Sequence, residues 1–413
     1  MLNHSSSTLR SSTFAVLGLL LLTAAQAFAS ERYDPRLRFR TLSTPNFSIH
    51  FHQGEDALAR RLARIAEEVA ADLAPRVGWP QGRVHVILVN QDDASNGWAT
   101  PFPVNVIEIV AAAPAAASLI GNTDDWLRLV FTHEYTHILH LDRSRGLFGG
   151  LRRVFGRHPV LMPNIFTPPW QIEGLATYVE SAATGGGRVR AGDFRLLLDR
   201  ASAADRFASL DQASNARVAW PSGNTPYLFG AYFHQFLAEQ YGDASLTRLA
   251  DATAGHLPYF SPLAFRKVFD KPLGALWTDF EREAKTRVGA SSGTAQRLTG
   301  HGFTVSSPVF AGDGRLYYAV ATPHEFPALM VREPDGGTRR LTRRVGGGQV
   351  SVAGDHVIFD QSEFVRSVGV QRDLYLAHRV TGETRRLTRE ARAGDPDVSP
   401  DGRTIVFTRQ EAD

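Results

Sequence analysis

A short motif recurs in the last third of the chain, and it limits the possible folds more than any other feature. A Leu-Thr pair stands at Leu298, Leu341 and Leu387, with about 45 residues between copies. Each copy continues to a Gly-Asp or Asp-Gly turn and then to a run with β propensity. A period in the forties with several short strands is typical of propeller blades, which have four strands each.

Residues 291–413 are therefore predicted to form about two to three blades. Closed propellers need about four to eight blades, so we expect this part of the sequence to be an incomplete propeller. The stretch "DPDVSPDGRTIVFTR" (Asp395–Arg409) closely resembles the blade repeat of TolB-type propellers. That resemblance implies a surface that binds a protein partner.

Residues 30–290 have a different pattern. Alternating or continuous apolar runs predict strands in "NFSIHF", "RVHVILVN" and "VNVIEIVAA", and an apolar period of three to four predicts a helix in "DALARRLARIAEEVAADLAPRVG". The next helix is expected near Thr123, its predicted N-cap. Residues from about 170 to 288 look mainly helical. This order predicts an α+β domain, a small mixed sheet with helices behind it, and "GASSGTA" reads as a linker.

The first 29 residues predict an export signal. Arg10 is followed by the apolar run Phe14–Ala25, and small residues at Ala27 and Ala29 suit cleavage before Ser30. The run is shorter than the roughly 20 residues that span a bilayer, so we prefer a cleaved signal over a retained anchor. The expected location is the bacterial periplasm or the exterior, without stable membrane insertion after cleavage.

Composition excludes several kinds of chemistry. The chain has 413 residues and no cysteine, which removes disulfides, thiol nucleophiles and Cys-ligated metals. Its net charge of +3 comes without a dense Lys/Arg run, so nucleic acid is not an expected partner. A metal site would have to use His, Asp or Glu.

The stretch "THEYTHILHLD" (Thr132–Asp142) offers such a site. On a helix, His133 and His137 lie one turn apart on the same face and can both bind one Zn²⁺. Glu134 is turned about 100° away, where its carboxylate can act as a general base on a metal-activated water. The alternative is an amphipathic helix that merely carries several histidines.

A catalytic zinc needs a third protein ligand and an open fourth position. Glu173, in "PPWQIEGLATYVE" near the start of a later helix, can complete a His₂Glu set. The alternative for Glu173 is a surface glutamate that interacts with the helix dipole; we prefer the ligand.

These two motifs resemble the gluzincins, the thermolysin-like zinc peptidases, and in particular the aminopeptidase N-like members. Those enzymes have an acidic residue seven positions after the glutamate ligand, matched here by Glu180, which the resemblance places behind a ligand. They also have a Tyr-x-x-Gly-Ala motif, matched by "YLFGA", so Tyr227 inherits the role of stabilising the oxyanion. The resemblance implies one Zn²⁺ and a peptide or protein substrate.

The chain departs from that family at three places. An insertion rich in Gly, Pro and Arg separates His137 from Glu173. The Gly-x-Met-Glu-Asn motif that binds a substrate's free amine is absent, and "NVIEIV" leaves only Glu108 as a substitute, which puts aminopeptidase specificity in doubt. We expect that strand to be the edge on which a peptide pairs. Phe229 replaces a lysine common in the tyrosine motif.

Other nearby side chains have less specific expectations. His140 is expected to support the site or the core rather than to bind the metal, and Asp142 either orients a ligand imidazole or is solvated at the helix end. Trp98, Phe102 and Trp170 either line a cleft or belong to the core.

The leading hypothesis is an exported zinc metallopeptidase followed by propeller blades. The alternatives are a protein-binding propeller on a non-catalytic peptidase-like scaffold, and a zinc hydrolase of a non-peptide amide or ester. The presence of Glu134 disfavours the first alternative, because a structural metal site needs no general base.

Overall fold

The computed structural model describes residues 32–115, 118–215, 218, 220–288 and 296–411. The predicted export signal and the predicted linker lie outside these residues. Within them, no helix combines the length and the apolar character required to cross a membrane.

Residues 39–110 contain a five-stranded mixed sheet. Its strands are β1 (Phe39–Ser43), β2 (Phe47–His52), β3 (Val84–Val89), β4 (Gly97–Thr100) and β5 (Val106–Val110). Their order across the sheet is β1-β2-β3-β5-β4; β2, β3 and β5 run parallel, and β1 and β4 are antiparallel edges. The predicted mixed sheet is therefore present, with two short edge strands that the sequence pattern did not reveal.

Helices cover the sheet and continue beyond it. Helix α1 (Asp56–Val77) packs an apolar stripe that includes Leu62, Ile65 and Val69 on the sheet, as its period of three to four predicts. The later helices are α2 (Trp126–Leu141), α3 (Gly146–Phe155), α4 (Pro169–Thr184), α5 (Gly192–Ala203), α6 (Leu210–Ala213), α7 (Thr225–Tyr241), α8 (Ala244–Thr253), α9 (Ser261–Phe269) and α10 (Leu273–Arg287).

Residues 296–411, which we call the strand half, contain strands and no helix; residues 32–288 are called the helical half. They are β6 (Thr304–Phe310), β7 (Leu316–Ala321), β8 (Ala328–Arg332), β9 (Thr338–Arg343), β10 (Val350–Ala353), β11 (His356–Val365), β12 (Gly369–His378), β13 (Thr384–Arg386), β14 (Ala393–Val398) and β15 (Ile405–Arg409). They form two four-stranded antiparallel sheets, β6 to β9 and β10 to β13, and one further pair. This is the four-strand unit that the repeat predicts; the described strands do not close into a ring.

Polar contacts join the strand half to one end of the mixed sheet. Asp93, just after β3, accepts a hydrogen bond from the Arg372 amide at 2.9 Å and from Arg392 Nε at 2.6 Å. Asp34 accepts from Arg366 at 2.8 Å. The site described next lies where α2 runs beside β4.

Candidate metal centre

Helix α2 is buried along its whole length. Its N-cap is Asp125, whose side chain accepts a hydrogen bond from the Arg128 amide. The sequence pattern predicted Thr123 for this position, so that prediction is wrong by two residues. Fifteen of the helix's residues are buried, His133, Glu134 and His137 among them. A helix packed on all sides holds its polar side chains in fixed directions, and these three point toward one cleft.

Two glycines bring the next functional helix close. In the packing of α4 on α7, a Cβ on Gly230 would lie 2.1 Å from the Trp170 carbonyl oxygen, and one on Gly174 would lie 2.3 Å from the Gly230 carbonyl carbon. Only glycine allows such an approach. Gly174 directly follows Glu173, and Gly230 is three residues after Tyr227. The two motifs therefore supply both the polar side chains of the site and the glycines that set the distance between their helices.

The donor atoms of His133, His137 and Glu173 form a nearly equilateral triangle. The two Nε2 atoms are 3.2 Å apart, and Glu173 Oε2 lies 3.5 Å from His133 Nε2 and 3.4 Å from His137 Nε2. Tetrahedral zinc with bonds of about 2.0–2.1 Å requires ligand atoms about 3.3–3.4 Å apart. The residues present therefore fit a zinc ion, and in the described part of the chain no other group of His, Asp and Glu side chains converges in this way.

The charges around the triangle favour a cation. Burial lowers the pKa of His133, but hydrogen bonds to Glu173 and Glu180 outweigh it and raise that pKa to about 9. Burial likewise raises the pKa of Glu173, and the neighbouring His137 and His133 reverse this effect, so that it falls below its usual range. The Glu173 carboxylate therefore stays ionised, and its negative charge would hold a metal cation.

Behind His133, a buried carboxylate fixes the direction of the ring. Glu180 Oε2 lies 2.7 Å from His133 Nδ1, so Nδ1–H donates to it and Nε2 faces the triangle. Burial raises the pKa of Glu180, whereas Arg188 and His133 lower it to about 2. The position that the family resemblance implied for Glu180 is the one it takes in the structure.

Arg188 is a residue of the site that the sequence did not suggest. Its Nε and Nη2 donate to Glu180 Oε1 and Oε2 at 2.9 and 2.8 Å, and its guanidinium lies 4.8 Å from the Tyr227 ring centroid. Gly185 and Gly187, both with positive φ, turn the chain back after α4 and return Arg188 to the site. The run "GGG" just before Arg188 indicates a turn in the sequence. Nothing in that run indicates that the turn brings the arginine back to the site.

Glu134 stands beside the triangle with an unused oxygen. Its Oε2 is buried and has no hydrogen-bond partner among the described residues. Burial raises the pKa of the carboxyl, and His133 and His137 oppose that rise. On the other side, β4 approaches so closely that a Cβ on Gly97 would lie 2.7 Å from Glu134 Oε1. Glu134 thus has a free acceptor at the boundary between the metal ligands and the sheet edge.

Tyr227 forms the opposite wall. Its ring centroid is 6.4 Å from that of His133. Burial, followed by the charge of Glu173, raises the pKa of the phenol to about 12, which keeps it protonated and able to donate a hydrogen bond.

All these groups open on one cleft of about 410 Å³. Gly97, Trp98 and Ala99 of β4 line it opposite the helices. Of the aromatic side chains considered from sequence, Trp98 lines the cleft, Trp170 is buried in the helical core, and Phe102 lies at the exposed turn after β4.

The structure corrects the expectation for the sheet edge and for Glu108. The strand β5 that contains "NVIEIV" is internal, between β3 and β4, and the edge along the cleft is β4. Glu108 does not line the cleft: its carboxylate accepts hydrogen bonds from Arg32 at 2.9 Å and from Tyr33. It therefore offers no anchor for a substrate's amine.

Asp142 and His140 also lie apart from the triangle. The Asp142 carboxylate is buried, binds Arg152 and Arg157, and contacts neither ligand imidazole. Neither expected role, orienting an imidazole or being solvated at the helix end, is therefore the one it has; its role is structural. His140 lines a second cavity on another side of α2 and α4. Burial lowers its pKa well below the usual value.

Comparisons with known proteins give limited similarity. No protein-family model matches the chain, and no curated protein matches it. Solved structures that match include a two-domain M1 zinc metallopeptidase mutant bound to L-tryptophan, at 15% identity and a TM-score of 0.33. Another is an M1 zinc metallopeptidase mutant from Deinococcus radiodurans bound to a Tyr-Ser-Ala substrate, at 16% identity and a TM-score of 0.32.

Each of these two matches covers 60% of this chain and 51% of the solved chain. The chain thus spans about half the length of the structures it matches. At this level of similarity the roles of the site residues depend on the geometry described above.

Proposed function

We propose that this chain is a zinc-dependent metallopeptidase that binds one Zn²⁺ through His133, His137 and Glu173. The single observation that carries the proposal is the triangle of donor atoms, at tetrahedral spacing, beside a buried carboxylate with an unused oxygen. A zinc ion at this position supplies a Lewis acid that polarises a carbonyl group and acidifies water.

The chain's own residues then act in a defined order. Glu134 accepts a proton from the attacking water through its unpartnered oxygen and passes it to the leaving amine nitrogen. Tyr227 donates its phenolic hydrogen to the oxyanion that develops on the carbonyl oxygen. Glu180, held by Arg188, keeps His133 in the tautomer whose Nε2 faces the cleft.

The substrate is proposed to be a peptide in extended conformation. The edge strand β4 has one side paired with β5, and its residues line the cleft. An extended peptide can add to such an edge through main-chain hydrogen bonds. Since Glu108 lies outside the cleft, a free amino terminus is not required for binding in this proposal.

The remaining parts of the hypothesis extend beyond the site. The N-terminal sequence supports export to the periplasm or the exterior, and the four-stranded units support propeller blades that bind a protein partner. These are proposals about where the enzyme acts and what it contacts.

The test compares the parent protein with Glu134→Gln, which keeps the size of the side chain and removes the base. We expect both proteins to bind about one zinc and the variant to cleave a peptide library about 10²–10⁴ times more slowly. Glu239→Gln, an exposed change on α7, serves as the matched control. Equal rates in the parent and in Glu134→Gln would refute the proposal.

Two further outcomes separate the alternatives. Zinc binding without peptide cleavage, but with Glu134-dependent hydrolysis of simple esters or amides, would indicate a hydrolase of another substrate class. Absence of bound zinc and of all hydrolysis would favour a scaffold whose function is binding.

A further inference from the structure

One surface of the helical half is built from three segments that expose large apolar side chains. They are the turn at Phe102–Val104, the inserted segment 143–168 that contains α3, and the segment 255–267 that leads into α9. Large apolar side chains in them are exposed by between 40% and 76%: Phe102, Val104, Leu147, Val154, Phe155, Val160, Leu257, Tyr259, Phe260 and Leu263. We call this the apolar end surface. Large apolar side chains that are exposed together on neighbouring segments mark an interaction site.

The buried Asp142 carboxylate connects two of these segments through hydrogen bonds. Its Oδ2 accepts hydrogen bonds from Asn105 Nδ2 at 3.1 Å and from Arg157 Nη2 at 3.0 Å, and its Oδ1 accepts from Arg152. Arg157 Nη1 in turn binds Asn105 Oδ1 at 3.0 Å and the Pro101 carbonyl oxygen. The turn after β4 and helix α3 are therefore fixed to one buried carboxylate.

The inserted segment is attached to the end of α8 and to the third segment, which follows that helix. The Arg145 amide donates to the Ala254 carbonyl oxygen at 3.0 Å, and Asn164 Nδ2 donates to the Ala250 carbonyl oxygen at 3.1 Å. The rings of Phe166 and Tyr259 are 5.3 Å apart. The exposed apolar side chains thus stand on a rigid base, and their exposure does not result from a loosely attached loop.

The charge of this surface has one sign. Residues 143–172 and 252–269 contain no aspartate and no glutamate, although the chain as a whole has 42 of them. Arg153, Arg266 and Lys267 are exposed there. Arg145 is half exposed and pairs with Asp251, outside both segments. Apolar side chains that stand among exposed cations, in segments without an acidic residue, match an anionic lipid surface.

We propose that the apolar end surface docks the protein on a bilayer that contains anionic phospholipids. Leu147, Val154, Phe155 and Tyr259 enter the boundary between headgroups and acyl chains, and Arg153, Arg266 and Lys267 contact the phosphates. The attachment is peripheral, through side chains of α3 and of the segment before α9. This inference does not depend on the proposed peptidase activity.

The experiment is flotation of the purified full chain with vesicles. One set of vesicles contains phosphatidylglycerol and phosphatidylcholine, and the other contains phosphatidylcholine alone. We expect binding to the first set at low salt, reduced at high salt. Phe155→Ser and Tyr259→Ser should each weaken binding by about tenfold, and Arg153→Glu should weaken it by about tenfold at low ionic strength.

Matched controls come from elsewhere in the chain. Phe364 on β11 is 87% exposed, and Arg60 on α1 is exposed, so Phe364→Ser and Arg60→Glu remove the same kinds of side chain outside the surface. Both should bind like the parent. Every variant has the same N-terminus, so any contribution of the apolar run Phe14–Ala25 is common to all of them.

Three outcomes overturn the proposal. They are no preference for phosphatidylglycerol, equal weakening by the control variants, and self-association in sedimentation that Phe155→Ser abolishes while vesicle binding is absent. The last would identify the surface as an interface between copies of the chain. Thermal melting of each variant verifies that the exposed substitutions leave the fold intact.

Discussion

Each half of the molecule contains a buried arginine–carboxylate network, and the two networks differ in what they leave unsatisfied. In the strand half, Asp360 Oδ1 accepts from Arg344 and the Gly348 amide, and Oδ2 accepts from Arg372 and again from Gly348. In the helical half, Glu180 accepts from Arg188 and from His133. We call the first network closed, because Asp360 takes its donors from arginines and a main-chain amide, and the one atom of its arginine that lacks a partner among the described residues, Arg344 Nη1, is itself buried. The second network is open, because His133 directs its other imidazole nitrogen toward a cleft.

This difference separates a structural network from one that supports chemistry. A buried charge is tolerated when its partners satisfy it, and Asp360 meets that condition with main-chain and arginine donors alone. Glu180 meets it too, but one of its donors is a ring whose other nitrogen faces two further ligand atoms. The informative feature is therefore the convergence of donor atoms from His133, His137 and Glu173, and not the presence of a buried ion pair.

The largest expected effect is at the triangle itself. Glu173→Ala removes one of three donors, so we expect the bound zinc to be lost and peptide cleavage to fall by at least about a thousandfold. Metal analysis after gel filtration and a rate measurement on the same sample test this. Glu239→Ala, exposed on α7, should retain both zinc and activity. Full zinc occupancy in Glu173→Ala would show that the third ligand is another group.

The closed network should respond in the opposite way, with lost stability and unchanged chemistry. Asp360→Ala leaves Arg344 buried without its carboxylate, which we expect to lower the free energy of unfolding of the strand half by about 3–5 kcal/mol. All six tryptophans precede Val288, so tryptophan fluorescence follows the helical half and far-ultraviolet circular dichroism follows both halves.

Comparing these two signals during urea unfolding tests the closed network. In Asp360→Ala the transition seen by circular dichroism should move to lower urea concentration, and the zinc content per folded molecule should not change. Asp199→Ala, which breaks the partly exposed pair of Arg195 and Asp199, should cost less than about 1 kcal/mol. Loss of zinc in Asp360→Ala would mean that the two networks are coupled through the contacts at Asp93 and Asp34.

Tyr227 offers a test on the cleft side of the open network. Tyr227→Phe removes the phenolic donor and keeps the ring under Arg188. If the phenol stabilises the oxyanion, kcat falls by about 10²–10³ while KM and zinc affinity stay near the parent values. A parallel fall in zinc affinity would instead indicate that Tyr227 acts through packing on His133.

The open network was largely foreseeable from sequence because its spacing is local. His133, Glu134 and His137 share one helix, and Glu173 and Glu180 share another, so helix geometry gives their directions. The mixed sheet and the four-stranded units followed from periodicity in the same way. These are features in which residues close in the chain determine the geometry.

What was missed depends on contacts between distant residues. Arg188 reaches the site only because two glycines with positive φ reverse the chain after α4. Asp142 appeared to belong to the histidine motif, since it follows the helix, but arginines 10 and 15 residues later bind it. The short edge strand β4 carries too little periodicity to be recognised, and so the cleft edge was assigned to β5.

A smaller effect is expected from weakening the support of His133. Glu180→Gln keeps the shape of the side chain and removes its charge, which should reduce zinc affinity by about 10–100-fold. Zinc competition with a chelator of known strength measures it. Glu239→Gln, the same change at an exposed position on α7, is the control. Unchanged zinc affinity in Glu180→Gln would show that Glu180, like Asp360, stabilises the fold without supporting metal binding.

The smallest effect concerns a buried histidine behind the site. Burial lowers the pKa of His234 to about 4, below the value of about 6.5 expected in the unfolded chain. The folded state therefore disfavours the proton, and stability that is complete above pH 6.5 declines as the pH falls toward 4. Between pH 7 and pH 5.5 this histidine should account for about 1 kcal/mol of lost unfolding free energy. His234→Phe should remove that share from the difference between urea titrations at the two pH values. An identical difference in parent and variant would show that the acid sensitivity of the helical half has its origin in other groups.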